Sequence, residues 1–445
     1  TLSNAAWIPS TGIRYTLPAD GISLTLVLLT SIAAVAGVLF SWNIDLRTNE
    51  FFAFYLTLIG GVYGVFLSYD FFLLFVFYEI AIVPKYFLIA IWGSTRREYG
   101  AMKLALYSFV GSAMILIGLL AAYATAGSHS TGISDLAHAG LSVHFQMWVF
   151  PLVFVGFAIL AGMWPFHTWA PTGHVAAPTA ASMLLAGIVM KLGAYGCLRI
   201  AMGIFPHGMD PWGFSFFGIG SWREIFAILA IIGIVYGALV ALVQSDFKFV
   251  IGYSSVSHMG FVLLGLMTLK QIGVTGAVMQ MFSHGIIAGL LFAIVGRIVY
   301  ERTHTRKLAE LEGMHLSKRL PFAAWAFVIA GMASIGLPGF SGFVAELEVL
   351  AGAWKVNAWW AVAAGIGIVV GIAYTWRALQ KAFFSDSHSA PYVHEHGHEL
   401  DPITWPEITG VTMLTVVSIF VGLYPRILLD VIEPAVRALL AGGAQ

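Results

Sequence analysis

The sequence predicts an all-α polytopic membrane protein, a single transmembrane domain of twelve crossing helices over residues 1–445. Three observations carry this. Of the 445 residues, 59% are hydrophobic and only 10% are Asp, Glu, Lys or Arg, where a soluble domain carries roughly a quarter charged residues. The apolar residues recur in stretches of about 20, the length at which a helix crosses the hydrocarbon core. Nowhere does the pattern require strands, and none are expected.

Taken in order, the spans run over 20–42, 51–70, 72–93, 100–124, 148–166 and 176–203, then 223–244, 248–268, 274–300, 321–354, 357–384 and 407–430. The tenth is too long for one crossing and is broken by Gly336-Leu337-Pro338-Gly339. The fifth carries Gly162-Met163-Trp164-Pro165 at a comparable place. Matching broken helices are the trace of an inverted-repeat transporter, because unwound backbone is tolerated inside a bilayer only where it lines a hydrated cavity. Two ordinary proline kinks would leave the same trace. The polar stretches 125–147, 204–222 and 385–406 are the only candidates for extramembrane structure, each too short to be a domain.

Basic residues gather on the cytoplasmic side of a membrane protein. Here they follow odd-numbered spans: Arg47, then Arg96 and Arg97, then Arg302, Arg306, Lys307, Lys318 and Arg319, then Arg377 and Lys381. Loops after even spans hold chiefly Arg223 and Lys270. Both ends of the chain are therefore expected on the outer side. Lys+Arg and Asp+Glu both total 22, so no net field exists to recruit nucleic acid. The single cysteine, Cys197, permits neither an intrachain disulfide nor a thiolate metal cage. Thr1 is not an initiator residue, no signal peptide is legible, and the beginning of the chain is open.

Charges inside the spans carry the chemistry. Glu79 lies mid-span in Phe-Val-Phe-Tyr-Glu-Ile-Ala-Ile-Val-Pro, Lys191 lies near the centre of a helix starting at Pro178, and Glu346 follows the break in the tenth span. Each costs roughly 2.5–3.5 kcal/mol on insertion scales. Groups that trade protons through internal water would justify that cost; a structural ion pair or a bond to a freed helix carbonyl is the alternative. His258 and His284 lie in the eighth and ninth spans among small and hydroxyl residues, where histidine can give and take a proton near neutrality. Packing is the plainer role for either one alone. Lys248, at the cytoplasmic end of the eighth span, is a further candidate for proton transfer, with snorkelling as the plainer alternative. His167 and His174 make a poor metal site and are expected to cap the turn after the fifth span. The tract His394-Glu-His396-Gly-His398-Glu is metal-binding by composition only, and no metal is assigned. There is no phosphate loop, nucleophile elbow or cysteine cluster, so no catalytic or cofactor-binding residue is assigned and any redox chemistry belongs to another chain.

Several segments together resemble a known family: Phe-Tyr-Glu79, Pro-Phe-His167-Thr-Trp-Ala-Pro, Ala-Pro-Thr-Ala-Ala-Ser-Met-Leu-Leu-Ala-Gly-Ile-Val-Met-Lys191-Leu-Gly-Ala-Tyr-Gly, Val-Gln-Ser-Asp-Phe-Lys248, Tyr-Ser-Ser-Val-Ser-His258-Met-Gly, Tyr-Glu-Arg-Thr-His304-Thr-Arg and Gly-Phe-Val-Ala-Glu346. Over nearly the whole chain they look like the antiporter-like subunit 4, chain M, of respiratory complex I. The resemblance implies fourteen transmembrane helices with discontinuous helices in two five-helix inverted repeats, here 51–203 and 223–384, followed by a C-terminal helix at 407–430. The first two family helices would then be absent. It implies a proton-translocating subunit in a bacterial inner membrane, partnered by other membrane-arm subunits, with NADH, FMN, iron–sulfur clusters and quinone in partner chains. Glu79 would be the inlet glutamate, Lys191 the central lysine, His258 and His284 the relay, and Glu346 the outlet glutamate.

Two departures fall on the inlet. Leu160 stands where the family has the lysine that pairs with the inlet glutamate, and Thr172 and Gly173 stand where an aspartate is usual. Lys85, six residues after Glu79, is a candidate replacement; six steps of about 100° place it roughly 240° round the helix, so direct pairing would need a kink at Pro84. A subunit of a Na+/H+ antiporter assembly, the membrane arm of an energy-converting hydrogenase, and a non-pumping structural spacer are the competing expectations.

Overall fold

The computed structural model describes residues 3–17, 20–127, 129–213, 215, 219–385 and 400–442. Helices α1 (Gly21–Phe40), α2 (Thr48–Phe66), α3 (Phe71–Trp92) and α4 (Arg97–Ala126) cross first. The next span is broken into α5 (Val143–Ala161) and α6 (Trp169–Ala176), and α7 (Thr179–Met202) follows. The second half runs through α8 (Trp222–Val243), α9 (Phe247–Met267) and α10 (Gln271–Thr303), then the end-to-end pair α11 (Pro321–Ser334) and α12 (Ser341–Val356). It closes with α13 (Ala358–Phe384), α14 (Trp405–Leu423) and α15 (Arg426–Gly442). Among the described residues, eleven helices are long and apolar enough to cross a membrane, counting α5 with α6 as one.

Chain entry into these helices follows local chemistry. Asp20, Asp70, Ser142, Ser221, Asp246 and Asn357 each accept a backbone N–H in the first turn of the helix they precede, satisfying donors that hydrocarbon cannot. The most apolar stretches of α7 and α10 are buried on all sides, as expected of helices apolar all round. These two form the centre.

Both breaks close in the same way. Gly162 donates to Ile159 and Met163 to Ala158, at 3.1 and 3.0 Å; Gly336 donates to Ala333 and Leu337 to Met332, at 3.3 and 3.1 Å. Each is a Schellman cap, whose left-handed residue is glycine, at φ 81° and 70°. At the first break, the Trp169 indole also donates to the Ile159 carbonyl at 2.8 Å, so that carbonyl accepts twice and ties α6 to the end of α5.

Three expectations need correction. An antiparallel hairpin, β1 (Ser3–Ile8) and β2 (Ile13–Leu17), precedes α1 and docks through Tyr69 N–H to Thr16 O at 2.9 Å; the sequence reading allowed no strands. The last span does not continue to 430, because the chain turns at Pro425 between α14 and α15. Residues 301–320 also carry structure, two short helices at Leu308–Leu311 and Leu316–Arg319. On that same basic face, Glu407 is almost fully buried and accepts from Arg297 at 2.9 Å and Arg302 at 2.7 Å, tying α14 to α10.

Candidate functional site

Lys191 lies in α7 just after a wide π turn at Leu185–Val189, a local irregularity common at functional positions. Its side chain is fully buried; the ammonium donates to the Ala186 carbonyl and lies 2.7 Å from His284 Nδ1. The approach depends on two glycines. A Cβ on Gly187 would meet the Gly285 carbonyl oxygen at 3.0 Å, and one on Gly285 would meet that of Gly187 at 2.7 Å, so α7 and α10 are in backbone contact beside the pair.

From His284 the line continues across the second half. The rings of His284 and His258 stand 5.4 Å apart, centroid to centroid, and His258 Nδ1 lies 3.2 Å from Glu346 Oε1. Gln280 and Ser334 each approach a His258 nitrogen at 3.3 Å. A void of about 10 Å³ is bounded by His258, Gln280, Ser283, His284 and Glu346, the scale of one water-sized site. Glu346 rests against the α11–α12 break: a Cβ on Gly336 would meet its Oε2 at 2.5 Å. Four of the residues singled out in the sequence thus form one buried file, Lys191, His284, His258 and Glu346, passing from α7 through α10 and α9 to α12.

Glu79 and Lys85 stand outside that file. Both lie in α3, with Lys85 on the buried stripe shared by Tyr78, Ala81 and Ile82. Pro84 is accommodated within the helix, and no ion pair joins the two side chains. Lys85 Nζ and Glu79 Oε1 are buried without a hydrogen-bond partner. Direct pairing through a kink is therefore not what the structure shows. Leu160 is buried in the apolar core.

Lys248 does not snorkel. It is 2% exposed and donates to the Ala177 carbonyl at 3.3 Å. His174 does not cap the turn either: it is buried, and neither ring nitrogen has a hydrogen-bond partner, while His167 is buried beside the turn with its ring 5.1 Å from that of Tyr236. His174 packs against Phe292 and Trp169, with ring centroids 5.4 and 6.0 Å away. Sequence reasoning missed it as a site residue, since a lone histidine after a proline-rich turn carries no mark of burial. Among the described residues no group of three or more His, Cys, Asp or Glu is placed to hold a metal ion; His394, His396 and His398 lie outside the described residues.

Comparison with known proteins follows this geometry. Residues 68–371 match the family model described as NADH:quinone oxidoreductase/Mrp antiporter, transmembrane. The chain is 37% identical to NADH-quinone oxidoreductase subunit M of Rhodobacter capsulatus, over 99% of this chain and 84% of that protein, and 36% identical to the Rickettsia prowazekii subunit M, over 98% and 85%. Among solved structures it superposes on a chain of respiratory complex I from Thermus thermophilus with TM-score 0.89 and 27% identity, covering 99% of this chain and 89% of that one. A chain of the Mrp complex from a Dietzia species shares the fold, with TM-score 0.80 at 22% identity over 98% of this chain and 86% of that one. The chain belongs to the NADH:quinone oxidoreductase/Mrp antiporter family of transmembrane subunits, among the subunit M and chain 4 proteins.

Proposed function

We propose that this chain is a proton-translocating membrane-arm subunit of a complex I-type NADH:quinone oxidoreductase. The observation that carries the reading is the buried file Lys191–His284–His258–Glu346. Every member gains or loses one proton by making or breaking a single N–H or O–H bond, and neighbours are in contact or one water apart. Charge altered at a neighbouring subunit shifts the proton occupancy of Glu79 and Lys85. Lys191 responds, and its proton passes by His284 and His258 to Glu346 and the outer side. The redox steps, with NADH, FMN, iron–sulfur clusters and quinone, are assigned to partner subunits, so the chain acts as the translocating part of the enzyme. The identical Schellman caps at Gly162 and Gly336 support reading 51–203 and 223–384 as inverted repeats.

Lys191→Ala tests this directly. In the assembly reconstituted in vesicles, it is expected to lower the number of protons moved per electron pair while quinone reduction and subunit composition persist. Unchanged stoichiometry would show that the file does not conduct and would favour a structural spacer.

A further inference from the structure

The file has a spur toward the basic face, which is cytoplasmic by the positive-inside rule. Two further voids of about 10 Å³ share lining residues with the one at His258, Gln280 and His284. The first is bounded by Ser257, His258, Glu346 and Tyr374, the second by Ser254, Tyr374, Thr375 and Phe327, among others. Ser334 borders all three, with its hydroxyl 3.3 Å from His258 Nε2. Tyr374 is buried and borders the last two. Water-sized sites and hydroxyl groups therefore leave the file at Glu346 and run between α9, α11 and α13, away from the outer side.

The spur ends on aromatic rings. Phe327 precedes Ser334 by two turns of α11, which places it about 10 Å nearer the basic face. It packs against Phe247 at 5.0 Å and Phe383 at 5.4 Å, centroid to centroid, and Phe247 and Phe383 stand 6.3 Å apart. All three are buried, one each from the foot of α9, the middle of α11 and the last turn of α13. Charge begins directly beyond them: the Phe247 N–H donates to Arg306 O at 2.8 Å, Arg306 pairs with Asp246 at 3.3 Å, and Lys381 pairs with Glu312 at 3.2 Å. The foot of α9 is thus two-sided. Lys248 borders a polar cavity of about 340 Å³, while its neighbour Phe247 closes the other flank. Apolar rings in so narrow a constriction exclude water, and without water a proton has no carrier through them.

We infer that Phe247, Phe327 and Phe383 form a proton seal, which keeps the Glu346 end of the file from exchanging with the cytoplasmic side. The inference rests on the proton-translocating reading above. In that reading Glu346 hands its proton to the outer side, so an open spur would join outer and cytoplasmic water through Glu346 and let pumped protons return. Packing alone places apolar side chains at this depth in any helix. The three rings are set apart by what they separate, voids bordered by hydroxyl groups on one side and a charged rim on the other.

Phe327→Ala is the discriminating variant, because the cavity it leaves admits water and opens the nearest void toward the rim. In the complete assembly reconstituted in vesicles, the passive decay of an imposed pH gradient, read without substrate, should run several-fold faster than in the parent. Protons per electron pair should fall while quinone reduction persists. Adding Glu346→Gln to the same background should return the decay to the parent rate, because the leak has to pass the file. Phe327→Leu, which keeps an apolar filler, should stay tight. A parent-like decay in an assembled Phe327→Ala overturns the seal, as does a fast decay that Glu346→Gln leaves unchanged. Should Phe327→Ala fail to assemble, Phe383→Ala is read against the same outcomes. If Lys191→Ala pumps normally, the conduit reading fails first; if Lys191→Ala is impaired and the Phe327→Ala gradient holds, the seal alone fails.

Discussion

Lys85 is a buried cation to which the structure gives no hydrogen-bond partner, and its neighbour Glu79 has one carboxylate oxygen in the same condition. A buried ionisable group with no hydrogen bond is expensive, and an apolar chain of similar length in its place relieves that desolvation cost. Lys85→Met should therefore leave the thermal midpoint of the assembly unchanged or raised. If Lys85 stands in for the lysine replaced by Leu160, the same variant should lower protons per electron pair. A stable variant with wild-type coupling would return Lys85 to a packing role. These roles were partly legible in the sequence. A charge in the middle of an apolar span announces itself, so Glu79, Lys191 and Glu346 were found from position alone. Burial of His174 and Lys248 was not legible, because each sits beside a loop where exposure is the ordinary expectation and only the packing of α6 against α7 and α9 encloses them.

At the scale of elements, the broken helices were readable because glycine and proline have few alternatives inside a span. Gly336 has φ +70°, and a Cβ there would also meet the Glu346 carboxylate at 2.5 Å; Gly339 has φ +103° but open space around it. Left-handed strain applies to both and costs of order 1 kcal/mol or more. Displacement of Glu346 applies to one. Gly339→Ala should thus lower the thermal midpoint only, whereas Gly336→Ala should also impair proton translocation. Equal pumping in the two variants would show that the turn does not position Glu346. The elements that escaped the sequence reading lack such punctuation. The β1–β2 hairpin is too short to declare a period, and α15 follows α14 without a polar gap, so an apolar run read as one crossing is divided only by the turn at Pro425.

Over the whole molecule, the file requires the two halves of the chain to be held in register, because Lys191 belongs to the first and His284 to the second. Their seam is the contact of α7 with α10 at Gly187 and Gly285. The contact is asymmetric. A Cβ on Gly285 would strike the Gly187 carbonyl oxygen at 2.7 Å and Leu29 Cδ1 at 2.5 Å, while one on Gly187 meets only the Gly285 carbonyl, at 3.0 Å. The leucine can rotate but a helix carbonyl cannot, so relief at Gly285 must come from separation of the helices, in an interior too closely packed to absorb it. A separation of a few tenths of an ångström lengthens the 2.7 Å Lys191–His284 contact, on which proton exchange between the halves depends. Gly285→Ala should accordingly lower both the thermal midpoint and protons per electron pair, and Gly187→Ala should do so less. The reverse order, or loss of stability with coupling intact, would place the connection between the halves somewhere other than this seam.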